Sequence, residues 1–172
     1  MEGDKRRAQI IQLLSDSSRP LSGSELSRTL QVSRQVIVQD IALLRAVNKN
    51  ILSTNKGYVL YDPLPGTVRA RRTMHVSHTD EQILDELYLI VDHGGTVLDV
   101  VVEHEIYGQI TADLILKNRQ DVDEFVAKLK SIQARPLKEL TNGTHFHTVE
   151  ADTETLLDVI EEKLRAASYF IG

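Results

Sequence analysis

Residues 20–41, PLSGSELSRTLQVSRQVIVQDI, decide how this chain is read. Ser22-Gly23-Ser24-Glu25 has the spacing of a capping box, in which a hydroxyl and a carboxylate three residues apart satisfy orphan backbone amides. A helix is therefore predicted from Ser22 to about Leu30. Gln31-Val32 is a short turn, and Ser33 has the chemistry of an N-cap for a further helix whose Ile37, Ile41 and Leu44 follow core spacing. Upstream, residues 5–14 (KRRAQIIQLL) place Ile10, Ile11, Leu13 and Leu14 along one side of a first helix, which Arg19-Pro20 ends. Three short helices with a tight turn between the second and third make a helix-turn-helix.

On the third helix, Gln35, Gln39, Ala42 and Ala46 lie about opposite the core stripe, with Val36 and Val38 flanking and Ser33 and Arg34 at its start. A glutamine amide pairs bidentately with adenine, arginine pairs with guanine, and valine methyls meet the thymine methyl. That face suits a major groove, with Ser33, Arg34, Gln35, Val38 and Gln39 as candidate DNA contacts. Residues 51–60 (ILSTNKGYVL) read as a β-hairpin turning at Asn55-Lys56-Gly57, which puts Lys56 at the tip of a wing, near phosphate. From about residue 4 to residue 60 the chain resembles the winged helix-turn-helix domains of bacterial metabolite-sensing repressors and of the biotin-operon repressor. The resemblance rests on residues 20–27, residues 32–41 and the Gly57-Tyr58 wing. A ligase activity of the kind fused to some of these domains would need a glycine-rich phosphate loop downstream, and the sequence has none.

Working outward, the chain has 172 residues, 41% hydrophobic and 26% charged, a globular composition. No apolar run approaches the ~20 residues that span a bilayer, and residues 1–20 lack a signal-peptide core, so a cytoplasmic protein without membrane partners is expected. The absence of cysteine removes disulfides, thiolate nucleophiles and Cys-type metal sites, so any metal must use His, Asp or Glu. The net charge of −5 divides unevenly: residues 1–72 carry +6 and residues 73–172 carry −11. A basic end joined to an acidic remainder suggests that one module meets a polyanion and the other does something else. Lys5, Arg6, Arg7, Lys56 and the arginines at 69, 71 and 72 are the expected counterion displacers.

Beyond Tyr61, two prolines and a glycine in quick succession mark a linker. Residues 71–78 then read as a strand, and Thr79-Asp-Glu-Gln82 is a second capping box opening a helix through Ile83, Leu87 and Ile90. Residues 96–103 and 109–116 read as paired strands, 120–132 as a helix, 144–150 as a strand, and Asp152 or Thr153 opens a last helix. This order is the split βαβ pattern of ferredoxin-like domains with one helix added.

His145 and His147 lie two apart on a strand and so share a face, His78 falls where a strand meets a helix, and Glu86 borders the apolar stripe of that helix. Such spacing also occurs in surface pairs; together, three imidazoles and a carboxylate suit a borderline divalent ion such as zinc, nickel, iron or manganese. His93 reads as a helix C-cap and His75 as a residue on the opposite strand face, while His104 and Tyr107 are candidates for lining an effector pocket, Tyr107 by stacking on an aromatic ring.

Over about residues 73–170 the chain resembles the three-histidine domain found behind a winged helix in bacterial repressors of NAD-biosynthesis and nicotinate-uptake genes. The resemblance is carried by His78-Thr79 with Glu86, by residues 103–108 (EHEIYG), and by Pro136-Leu137 with residues 140–148 (LTNGTHFHT). It implies a metal on His78, Glu86, His145 and His147, with nicotinate as co-repressor. The expected fold is α+β: a winged helix-turn-helix over residues 1–61, a linker over 62–72, and a ferredoxin-like βαββαβ domain with an extra C-terminal helix over 73–172, binding metal and effector. The expected function is a non-enzymatic repressor, homodimeric because one recognition helix reads too few bases for useful specificity. Two alternatives stay open: a repressor that answers to metal alone, and a metal-dependent hydrolase fused to a DNA reader.

Overall fold

A computed structural model describes residues 2–47, 50–61, 68–133 and 135–172. The chain divides into two units, Met1–Pro65 and Gly66–Gly172, each with its own apolar core.

The first unit contains helices α1 (Gly3–Asp16), α2 (Gly23–Leu30) and α3 (Arg34–Val47) and strands β1 (Ile51–Thr54) and β2 (Gly57–Leu60). Both halves of the capping box form: the Glu25 amide donates to Ser22 Oγ at 3.1 Å and the Ser22 amide donates to Glu25 Oε2 at 2.8 Å. Gln31 takes a left-handed conformation (φ 55°) that turns the chain into α3, where Ser33 Oγ accepts the Val36 amide at 3.3 Å. Ile10, Leu26, Ile37, Ile41, Leu44 and Ile51 close the core. Strands β1 and β2 pair antiparallel from Ile51↔Leu60 to Thr54↔Gly57, and Leu21 adds a bridge to Tyr58 through two backbone hydrogen bonds of 2.9 and 2.8 Å. Gly57 is required at this crossing: its φ is 132°, and a Cβ there would lie 2.6 Å from the backbone of Leu21.

Of the expected linker, residues 62–67 lie outside the described residues. Arg71 and Arg72, counted both in the expected linker and at the start of the expected strand, belong to strand β3 (Ala70–Ser77), and carboxylates of the second unit hold the arginines here. Arg69 and Arg71 pair with the buried Glu150, and Arg72 with Glu154, Asp158 and Glu161.

After β3 come α4 (Ile83–Asp92), β4 (Thr96–His104), β5 (Gly108–Leu116), α5 (Arg119–Ser131), β6 (Thr144–Ala151) and α6 (Glu154–Ala166). The chain is thus α+β in the expected order. Helix α4 starts four residues after Thr79 because one turn of 3₁₀ helix, Asp80–Gln82, intervenes. The Thr79 carbonyl receives the Gln82 amide at 3.2 Å and sits 2.8 Å from His78 Nδ1, so it does not open an α-helical ladder. A second 3₁₀ segment, Leu137–Thr141, escapes the sequence pattern altogether.

The sheet runs β3-β6-β4-β5, and every neighbouring pair is antiparallel. Both helical crossovers skip one strand, which is the split βαβ plan. A ferredoxin-like sheet centres its first and third strands; here the second and fourth, β4 and β6, are central. That difference shapes the site, since β6 is flanked by a strand on each side. Met74, Val76, Val149 and Ala151 meet Leu87, Ile90, Leu157 and Ile160 in the core between sheet and helices. The free edge of β3 is covered near its end by the C-terminal segment: the Ser77 amide donates to Tyr169 O and the Ile171 amide to His75 O.

Candidate functional site

In β6, His147 stands opposite Met74 and His145 opposite Val76, so both imidazoles enter the helix-covered side of the sheet. Phe146 between them faces the other way and stacks on His75, ring centroids 4.2 Å apart. His78 follows the end of β3, and Glu86 occupies the first turn of α4. The side chains of His78, Glu86, His145 and His147 are 1%, 1%, 3% and 5% exposed. Glu86 Oε2 lies 2.8 Å from His78 Nε2, Glu86 Oε1 lies 3.2 Å from His147 Nε2 and 4.0 Å from His145 Nε2, and the last two nitrogens are 3.2 Å apart.

The opposite ring nitrogens explain this convergence. His78 Nδ1 is 2.8 Å from the Thr79 carbonyl, His145 Nδ1 is 2.9 Å from Gly143 O, and His147 Nδ1 is 2.6 Å from Asp99 O. A carbonyl only accepts, so each Nδ1 carries the proton and each Nε2 presents a lone pair. Gly143 is held at φ 88° against the His78 carbonyl, 3.2 Å from where its Cβ would be, which keeps the carbonyl that orients His145 in place.

Three lone pairs and a carboxylate in a dry space need a positive centre. Burial alone would raise the Glu86 carboxyl; without a metal, a second proton at Nε2 of His147 or His78 supplies that charge and holds the carboxyl well below the ordinary carboxylate range. Burial, with the neighbouring His147, pushes His145 down to about 4. His147 is also opposed by burial, but facing Glu86 it is raised. The donor set fits a divalent ion. His78, Glu86 and His145 each offer one ligand atom within 4.8 Å of the others, and His78 Nε2 and Glu86 Oε1 are buried without a hydrogen-bond partner among the described residues. Ligands ~2.0–2.1 Å from a tetrahedral zinc lie ~3.3 Å apart, the scale of the separations seen here. Carbonyl-bound second nitrogens are the usual support of metal-ligating histidines.

Against this cluster is a cavity of about 180 Å³ whose lining includes Ile83, Leu87, Leu114, Phe125 and Leu129 together with His78, Glu86, His145, His147 and Lys138. Lys138 is 5% exposed and forms a 2.5 Å ion pair with Asp80, whose carboxyl is lowered chiefly by that lysine. Lys138 carries no sequence signal, since it follows Pro136 in a stretch without periodicity, and Asp80 is marked only as part of the capping box at Thr79. The expected effector residues His104 and Tyr107 are elsewhere. They sit at the β4–β5 hairpin, 5.0 Å apart by ring centroid, with His104 Nδ1 accepting the Ile106 and Tyr107 amides, and neither lines the cavity. His93 does cap α4, its Nδ1 2.7 Å from Leu89 O.

In the first unit, Ser33, Arg34, Gln35, Val38 and Gln39 are all exposed along α3, and Lys56 is exposed at the β1–β2 turn. The one carboxylate of α3, Asp40, is turned inward at 3% exposure and meets Arg6 and Arg7 of α1, with Arg7 Nη1 3.2 Å and Arg6 Nη2 3.3 Å from Oδ1. Those two arginines, like Arg69, Arg71 and Arg72, were expected among the counterion displacers; the structure engages them in ion pairs with the protein's own carboxylates. Among the described residues no helix is long and apolar enough to cross a membrane.

Comparison with known proteins agrees with both halves. Residues 6–59 match a family of HTH domains and residues 71–172 match the 3H domain. The chain is 42% identical over 170 residues to the transcription repressor NadR of Bacillus subtilis, covering 98% of this chain and 94% of that protein. It is 38% identical over 167 residues to the probable transcription repressor NiaR of Thermotoga maritima, covering 97% and 94%.

Proposed function

The chain belongs to the family of transcription repressors that join an HTH domain to a 3H domain, and from that premise we propose that it senses nicotinate through a metal-dependent receptor. In this reading it acts in the cytoplasm as a homodimer on operator DNA, repressing genes for NAD biosynthesis or niacin uptake. It is a regulator and not an enzyme, as its relatives are named repressors. The observation that carries the proposal is the convergence of three carbonyl-oriented imidazoles and the buried Glu86 beside a cavity of single-ring size. The names of the two relatives point the same way, toward NAD and niacin.

His78, Glu86, His145 and His147 would hold the divalent ion, which when bound supplies a positive centre that neutral imidazoles leave mostly uncancelled. Such a centre lets the acidic second unit, Gly66–Gly172 with a net charge of −8, receive an anion. The apolar walls exclude water from the ring, and Phe125 is a surface on which it could stack. On DNA, Arg34, Gln35, Val38 and Gln39 face base edges, Ser33 caps the helix, and Lys56 reaches phosphate. Nicotinate strengthens repression only by the difference in its affinity for the two operator-binding states; a 100-fold difference corresponds to ~2.7 kcal/mol.

Gel-shift titration of the metal-loaded chain on the promoters nearest its gene should give tighter binding with nicotinate and lose that gain with a chelator. Full repression-competent binding with metal and no pyridine would replace the nicotinate sensor by a metal sensor. Insensitivity to both would remove the receptor role from the second unit.

A further inference from the structure

We propose that Lys138 reads the effector's carboxylate and that Asp80 is the internal counter-ion displaced when the effector enters; the inference rests on the single-ring receptor proposed above. The cavity's size comes first. A dry cavity of about 150 Å³ accepts benzene, so about 180 Å³ admits one six-membered ring with a small substituent. The cavity surface is almost wholly apolar, and among the described residues its polar lining residues are the imidazole and carboxylate cluster and Lys138, whose ammonium is held by Asp80 until a ligand competes for it.

Apart from the ion they would hold, the side chains of the cluster offer a carboxylate no donor. Each imidazole spends its N–H on a backbone carbonyl, and Glu86 repels a second anion. Lys138 is the one cation in the lining, and an ammonium carries three donors. Its partner stands on the other side of a boundary. Asp80 does not line the inner cavity but a neighbouring depression of about 310 Å³ that shares Ile83, Leu129 and Pro136 with it. The Lys138 side chain is 7% exposed while that of Asp80 is 49% exposed. This asymmetry gives the exchange its direction: Asp80 regains water when released, whereas Lys138 stays buried and must keep an anionic partner. An aromatic acid supplies that partner, and the corresponding amide, being neutral, does not.

The position of Lys138 ties this contact to the metal cluster. Its carbonyl accepts the Gly143 amide at 2.9 Å, and Gly143 O in turn orients His145. A ligand gripped by Lys138 is thereby registered against the imidazoles through five residues of backbone.

The test is calorimetric titration of the full, zinc-loaded chain with nicotinate and with nicotinamide, on wild type, Lys138→Gln and Asp80→Asn, with zinc content measured on each. Wild type should favour the acid by 10-fold or more, roughly the worth of one charge-assisted hydrogen bond. Lys138→Gln should lose that preference through weaker nicotinate binding, with nicotinamide binding and zinc content unchanged. Asp80→Asn, which removes the competitor, should bind nicotinate more tightly. Unaltered acid preference in Lys138→Gln overturns the assignment, and so does weakened nicotinate binding in Asp80→Asn, which would make the ion pair structural. Should Lys138→Gln fail to fold, the sign of the Asp80→Asn effect decides alone. Failure of wild type to bind either pyridine overturns the receptor reading itself, and this inference with it.

Discussion

Glu86 carries more of the chemistry than any other single side chain. It is buried against three imidazoles and opposed by burial, yet held ionised when His147 and His78 are protonated. Removing its charge costs stability in both states of the protein. Without metal, Glu86→Gln breaks the buried pair with His147 and His78 and should melt the second unit below the wild-type temperature. With zinc, the variant should bind at least ~10- to 100-fold more weakly and melt below wild type, because metal stabilises only in proportion to its occupancy. Competition against a chromophoric chelator, paired with melting curves, measures both; unchanged zinc affinity would take Glu86 out of the ligand set. Sequence reading placed Glu86 only on the border of an apolar stripe. Its full burial follows from His78 and β6 closing over the first turn of α4, contacts made by residues 8, 59 and 61 positions away.

At the scale of elements, the wing depends on one glycine. Gly57 combines a φ of 132° with a backbone crossing so close that a methyl would meet Leu21 at 2.6 Å. Gly57→Ala should destabilise the first unit by about 2–3 kcal/mol, seen as an early transition in thermal unfolding that leaves the second unit's transition in place. Equal melting of variant and wild type would show that the wing is not packed against the start of α2. The turn residues of this hairpin were legible because their demand is local. The 3₁₀ segment Leu137–Thr141 was not, since its backbone is set by the Gly143 amide returning to Lys138 O and by burial of the lysine, neither of which leaves a period in the sequence.

For the whole molecule, formal charge overstates the DNA-binding surface. The first 72 residues carry +6, but Arg6 and Arg7 are engaged by Asp40, and Arg72 by Glu154, Asp158 and Glu161. Each phosphate neutralised contributes about −0.9 to the slope of log affinity against log salt. Lys56→Ala should flatten that slope by about 1 on operator DNA, whereas Arg72→Gln should leave it where it was, both read by fluorescence anisotropy across a salt series. A flatter slope in Arg72→Gln would return that arginine to the DNA face.

By itself the sequence determined the helix-turn-helix, the order of strands and helices in the second unit, and the identity of the candidate ligands. These depend on caps, turns and periodicities that act within a few residues. It placed the effector residues at His104 and Tyr107 because a turn beside a histidine is visible locally. Only the tertiary structure put β6 in the middle of the sheet, so that His145 and His147 are buried from both sides, and brought Lys138 into the lining of the same cavity. Strand order and cavity walls come from packing between segments far apart in the chain, where the free energy of burial depends on the partner face and not on the neighbours in sequence.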